Sequence, residues 1–312
     1  MPNTLAHIGV QGFLNQAVKP GIDPKLVCLG CLLPDIPWIF QRVLLGIMPG
    51  GDPYTIRLYC IAQASLFVTL VLCGALAFLS KTPKPVFMIL GVNVLLHLVL
   101  DGLQTKWANG VHLFAPLSWD LWNVGLFWPE SLPTYIMTGG GLLYIGWQWQ
   151  KGISQPLPFS PWSPLKVSIS ASLLILYFAL PLVIIEGPRN ANNHFVLTLE
   201  ETEARPGRPL ELDRSSYEKT PTGDMIGLFN GEEIRSTQEI LDHSATVSIR
   251  GRFVTPTQLD VLEFHEHYSW FRDTGSYLGI LLLLGMWLGA FIKQGLLHSS
   301  SKSDHHSSYQ QE

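Results

Sequence analysis

The sequence reads as a mainly α, polytopic helical membrane protein of about five to six membrane segments with a small β-rich extracytoplasmic insert. Its 312 residues are 47% hydrophobic and only 14% charged, whereas soluble domains carry roughly 25% charge. Apolar stretches of spanning length recur along the chain. One long polar stretch interrupts them late, and its hydrophobicity alternates with the period of a strand. Net charge is −4 with no long basic run, which argues against nucleic acid as a partner.

Residues 4–18 form a less hydrophobic, amphipathic helix, and spanning segments follow near 26–48, 57–80, 85–103, 131–149, 166–185 and 276–293. Pro34 and Pro37 interrupt the first of these, which is therefore kinked or re-entrant. Residues 1–186 make a helical membrane domain, 187–273 the polar insert, 274–296 a final membrane helix and 297–312 a polar tail expected to be disordered. The insert holds 15 acidic and nine basic residues. Its runs HFVLTLE, ATVSIRGRFV and LDVLEFHEHYSWF read as strands of a small barrel or sandwich. Cys28, Cys31, Cys60 and Cys73 all lie in apolar segments. They read as small buried hydrophobes, since no thioredoxin-like pattern surrounds the C-x-x-C.

Lysines set the expected orientation. Lys81 and Lys84, Lys151 and Lys166, and Lys293 and Lys302 mark three regions that the positive-inside rule assigns to the cytoplasm. The insert and the loop 104–130 then face outward, with Lys106 as the exception. If 26–48 spans, His7 is cytoplasmic; if it re-enters, His7 shares the outer side with Asp101 and His112.

The most informative stretch is 86–119. Asn93, His97 and Asp101 recur at steps of four inside an apolar helix, so their side chains stack on one face. Intramembrane histidines and carboxylates seldom face lipid. On spacing alone the pair serves a metal, an interhelical hydrogen bond or a proton path. Asp35, between two prolines and without an adjacent cation, needs a partner. His112, after a turn-rich loop, and His7, on the opening helix, complete a candidate ligand set of His7, Asp35, His97, Asp101 and His112. Such a set suits one divalent metal, zinc first, with manganese or iron as alternatives. Asn93 and Asp120 are candidates to hydrogen-bond the ligands. Glu130 reads as a membrane-boundary residue, and His265 and His267 as a surface pair on one strand face. The aromatic-rich loop 107–130 suits an interfacial belt that admits a lipid head group.

MPNTLAHIG, CLLPDIPW and LLHLVLDGLQT, in that order, resemble the membrane-bound, metal-dependent hydrolases of the bacterial inner membrane, the YdjM-like group. That group is distantly similar to zinc-dependent phospholipase C and its nuclease relatives. The resemblance covers about residues 1–150 and leaves the insert uncovered. It implies that His7, Asp35, His97 and Asp101 occupy ligand positions. It departs from the group at DPYTIRLYCIAQAS, which keeps Arg57 and Ser65 but lacks the histidines of the group's His-Arg-Gly-x-Thr-His-Ser segment. A mononuclear site is the expectation. The resulting reading is a membrane-bound hydrolase in which a metal activates water against a phosphoester or related bond of a lipid-like substrate, with membrane lipids as its surroundings. The rivals are a non-enzymatic scaffold whose β insert binds a protein partner and a transporter, the latter without a visible internal repeat.

Overall fold

The computed structural model describes residues 3–47, 51–159, 163–221, 223–267 and 269–308. Proline and polar caps start most helices, because the first turn's N–H groups need acceptors and tolerate a missing donor. Asn3 Oδ1 accepts from Ala6 N at 2.9 Å to open α1 (Thr4–Val18). Asp23 caps α2 (Pro24–Leu32), and Asp52 caps α4 (Pro53–Gln63). Prolines also lead α6 (Pro83–Leu103) and α8 (Pro164–Ile184).

The segment broken by Pro34 and Pro37 is kinked rather than re-entrant. A single 3-10 turn, Leu33–Asp35, joins α2 to α3 (Ile36–Ile47), and Pro24–Ile47 remains one apolar run. The expected 57–80 span instead divides into α4 and α5 (Leu66–Phe78), bent by 67° at Ala64 and Ser65. Ser65 turns its hydroxyl onto the Ala62 carbonyl there. Residues 131–149 belong to the 23-residue α7 (Leu132–Ser154), which is not among the helices apolar enough to cross. By length and composition four helices are able to span a membrane, or five if the bent pair counts as one span. Pro164–Asn190 and the last helix are only 17% and 28% buried, and Leu182, Val183, Leu284 and Phe291 stand exposed along them. Pro24–Ile47 and α6 are buried to 56% and 50%. The polar candidates thus sit on the inner helices, away from the apolar outer faces.

Glycine lets α1 lie directly on α7. A Cβ on Gly141 would stand 2.0 Å from the Leu5 carbonyl oxygen, and one on Gly9 would stand 2.4 Å from that of Met137. Helix α1 starts where Asn3 Nδ2 donates to Thr138 Oγ1 and runs antiparallel to α6, so that His7 reaches Asp101 while Asn15 reaches Asn93. At the far end Lys25 Nζ donates to Gly152 O, Lys166 Nζ to Ser80 O and Lys293 Nζ to Ser154 Oγ. The lysine-bearing segments therefore gather at one end, and the β insert sits at the other. Because α1 packs antiparallel to α6, His7 lies at the Asp101 end of the bundle, away from these lysines.

The insert begins with helix, not strand. HFVLTLE alternates in hydrophobicity, but His194 and Phe195 take left-handed φ of 54° and 56°, and the chain then coils into α10 (Val196–Glu200), after the short α9 (Glu186–Asn190). Val196 and Leu199, three apart, are the apolar side chains it buries, against α4 and the barrel core. Five strands follow: β1 (Pro209–Glu218), β2 (Met225–Gly227), β3 (Glu233–Ser236), β4 (Ala245–Thr255) and β5 (Gln258–His267). They close a barrel in the order β1-β2-β3-β5-β4, sealed by parallel pairing of β3 with β5. Val247, Ile249 and Phe253 alternate inward along β4 with Leu210, Tyr217, Ile226 and Leu259. The final helix, α11 (Ser269–Ser308), continues through residues expected to be disordered; 309–312 lie outside the described residues.

Candidate metal centre

Helix α6 presents His97 and Asp101 on one face, α1 lays His7 beside them, and the 3-10 turn between α2 and α3 delivers Asp35. All three elements are fixed by packing. The side chains of His7, His97 and Asp101 are no more than 2% exposed, and that of Asp35 is 13% exposed. The His7 and His97 rings stack at 3.8 Å, within 5° of parallel.

His97 Nδ1 lies 2.6 Å from the Cys31 carbonyl oxygen. A carbonyl only accepts, so Nδ1 carries the proton, and Nε2 presents its lone pair in the neutral ring. That lone pair faces Asp35 Oδ1 at 3.6 Å and Asp101 Oδ2 at 3.7 Å, while His7 Nε2 faces Asp101 Oδ1 at 3.3 Å. These separations exceed those of strong hydrogen bonds. His7 Nε2, His97 Nε2, Asp35 Oδ1 and Asp101 Oδ1 have no hydrogen-bond partner among the described residues. Each such buried atom costs about 1–3 kcal/mol, so a direct pairing network would draw these groups closer. A cation among them explains the spacing better. Ligands on a tetrahedral ion at about 2.0–2.1 Å lie about 3.3–3.4 Å apart, which the His7–Asp101 separation matches and the two from His97 exceed by a few tenths of an ångström. The residues present therefore fit a divalent metal, with Cys31 O orienting one ligand from outside.

Lys106, which the sequence marked only as an orientation exception, places Nζ 3.1 Å from Asp101 Oδ2 with its side chain buried. Its ammonium neutralises one oxygen of Asp101 and leaves the other turned to His7. The signal available was a lysine five residues beyond an intramembrane aspartate.

Three expected residues stand elsewhere. His112 is buried but is not drawn into the His7–His97–Asp101 group; its ring packs beside Trp119 at 5.6 Å. Burial pushes its imidazole down to about 4, so it is neutral at physiological pH. Backbone pairings of Val111 with Trp122 and Gln104 with Phe127 set the loop's path and hold it there. Asn93 bonds Asn15 and the Ile89 carbonyl in place of a ligand. Asp120 is exposed and closes a local turn with Ser118.

A second group, Glu130, His265 and His267, also brings three donors together. It differs in being hydrogen-bonded already. Glu130 Oε1 accepts from Arg214 Nη1 at 2.8 Å, both of its oxygens lie 3.1 Å from His267 Nδ1, and His267 Nε2 meets Ser248 Oγ at 2.7 Å. Burial opposes ionisation of Glu130, yet His265, His267 and Arg214 hold its carboxyl well below the usual range. Its donors are already bonded to one another and to Arg214 and Ser248, and the cluster reads as a clamp between the barrel and the loop before α7. His267 is buried, so the surface reading of that residue does not hold. The four cysteines are free and buried.

A cavity of about 360 Å³ opens beside Asp101, between the helices and the barrel. A bulge shapes its barrel wall: the register of β1 shifts between Leu212 and Ser215, and Arg214 adopts a φ of 57°. Asp213 and Arg214 thereby leave the ladder, Asp213 to meet Asn109 and Arg214 to meet Glu130. No family model, curated protein or solved structure matches the chain, so the functional reading rests on this geometry.

Proposed function

We propose that the chain is a membrane-embedded, metal-dependent hydrolase acting on a phosphoester or related bond of a lipid-like substrate. The observation that carries the proposal is the convergence of His7, His97 and Asp101, with Asp35 facing His97 Nε2 at 3.6 Å, at the edge of a cavity lined by cations. The resemblance of the same residues to the YdjM-like group points the same way. Two imidazoles and two carboxylates suit zinc, with manganese and iron as alternatives. When bound, such an ion supplies Lewis acidity that activates water near neutral pH.

The chain's own residues do the rest. The Cys31 carbonyl holds His97 in the ligating tautomer, and Lys106 fixes the Asp101 carboxylate. Arg42 and Arg57 bias the cavity toward an anionic substrate. Asp35 and Asp101, committed as donors, are not free to serve as general bases. The same proposal puts the chain in a bacterial inner membrane, with the lysine end cytoplasmic and the site and barrel outside; the apolar outer helices and the gathering of lysines at one end support it. Hydrolysis of short-chain phosphoester lipids by the purified protein tests the proposal. Activity that disappears in a His97→Ala, Asp101→Ala double variant supports it, and activity that persists there rules it out.

A further inference from the structure

Among the cations on the wall of the cavity beside Asp101, Arg57 is not taken up by a carboxylate among the described residues. The wall includes Arg42, Arg57, Lys106, Arg214 and Arg272 against two carboxylates, Asp101 and Asp213. Lys106 is spent on Asp101, Arg214 on Glu130, and Arg272 faces Asp273 at 4.0 Å. Arg57 has no such use. Its guanidinium carbon lies 5.3 Å from the centre of the Trp38 ring and 5.0 Å from that of Phe229, and its Nη2 is 3.0 Å from His194 Nδ1. Its Nε is buried without a hydrogen-bond partner, and no carboxylate pairs with it among the described residues. Two aromatic rings desolvate the group and fix its plane, while His194 satisfies one of its five donors. A planar fork held this way is built to take an oxyanion through paired N–H donors.

The chain accepts backbone strain at the same place. His194 and Phe195, next to the buried Asn193, hold left-handed φ of 54° and 56°, which non-glycine residues seldom adopt without surrounding constraint. Because His194 Nδ1 accepts from Arg57, its Nε2 carries the proton, and that donor is also buried and unpartnered. Phe229, following β2, comes from the barrel, so the site is complete only with the insert in place.

A second groove, of about 220 Å³, leaves from Asp35 between α3 and α11. It shares Trp38, Arg42 and Arg272 with the basic cavity and is otherwise largely apolar, through Ile39, Val43 and Ile280. Polar cavity and apolar groove thus meet at Trp38, Arg42 and Arg272, with Asp101 lining the one and Asp35 the other. We infer that the protein binds an anionic amphiphile, its phosphate seated on Arg57 beneath the barrel rim and its tail lying in the groove between α3 and α11. This deepens the hydrolase reading by naming the ligand class and anchor, and it rests on that reading only in calling the ligand a substrate.

Calorimetric titration of the full-length protein in detergent tests it, with inorganic phosphate, dioctanoyl phosphatidate and neutral dioctanoylglycerol as probes. Phosphatidate is expected to bind at least about tenfold more tightly than either other probe, since both halves of the site engage it. Arg57→Gln is expected to weaken phosphate and phosphatidate by at least about tenfold, as loss of a charge-assisted hydrogen bond does, with part of the loss recovered in Arg57→Lys. Unchanged affinity in a folded Arg57→Gln variant overturns the anchor. Equal affinity for phosphate and phosphatidate overturns the tail groove and assigns the site to free phosphate. If Arg57→Gln does not fold, phenylglyoxal labelling of wild-type Arg57 decides: slower labelling with phosphatidate supports the anchor, and an unchanged rate refutes it. Anion binding without any hydrolysis would refute the enzymatic reading and leave this subsite standing. Hydrolysis with unaltered binding in Arg57→Gln would do the reverse.

Discussion

Replacing Gly141 with alanine tests whether backbone packing sets the metal geometry from a distance. The added Cβ would stand 2.0 Å from the Leu5 carbonyl oxygen and 2.7 Å from the carbonyl carbon, both backbone atoms that no rotamer change can move. Ordinary contact begins at 3.4 Å, so α1 has to retreat by about 1.4 Å. His7 sits two residues after Leu5 on the same helix and retreats with it. Metal–ligand distances tolerate only about 0.2 Å, so His7 leaves the ligand set. Overpacking of this kind costs about 1–3 kcal/mol in stability, and loss of one ligand should reduce metal affinity at least about tenfold. Gly139 provides the control on the same helix, because a Cβ there meets nothing within 4 Å. Gly139→Ala should even stabilise α7, by up to about 1 kcal/mol from helix propensity. Dialysis against graded chelator, with bound metal quantified by mass spectrometry, compares the two. Equal metal retention in Gly141→Ala and Gly139→Ala would show that the α1–α7 contact does not position His7.

Glu130→Gln should loosen the barrel from the helices by about 3–5 kcal/mol, because it leaves the Arg214 charge buried without its partner. The folded carboxyl lies below its ordinary value, so its stabilisation is full above about pH 4.3 and fades as pH falls toward the folded value. Melting curves against pH should show that loss in the wild type and a flatter profile in Glu130→Gln; parallel profiles would contradict the clamp. His112→Ala should retain its metal, since His112 is outside the donor group, and elemental analysis showing loss would restore it as a ligand.

The part of the site legible in the sequence is the part that local periodicity dictates. Steps of four on α6 put His97 and Asp101 on one face, and the expense of an isolated aspartate among apolar residues singled out Asp35. The structure brings His97 and Asp101 to His7 and sets Asp35 3.6 Å from His97. What sequence could not show depends on long-range closure. Arg57 looked like an isolated motif remnant until Phe229 and His194 arrived from beyond residue 190 to enclose it. Glu130 looked like a boundary residue because its partners, Arg214 and His267, lie more than 80 positions away. In HFVLTLE an alternating pattern lost to burial of Val196 and Leu199 with a spacing of three, a conflict that only the docking surfaces of α4 and the barrel decide. The break in 57–80 was hidden in the same way, since its hydropathy is continuous while the chain bends by 67° at Ala64 and Ser65.

The most direct measurement is the metal content of the detergent-purified full-length protein beside its His97→Ala and Asp35→Asn variants. The account predicts about one zinc, manganese or iron ion per chain in the wild type and loss of that ion in both variants, with the fold retained. No metal in the wild type after reconstitution, or full retention in the variants, would make the buried histidine–aspartate cluster a structural pairing and contradict the account.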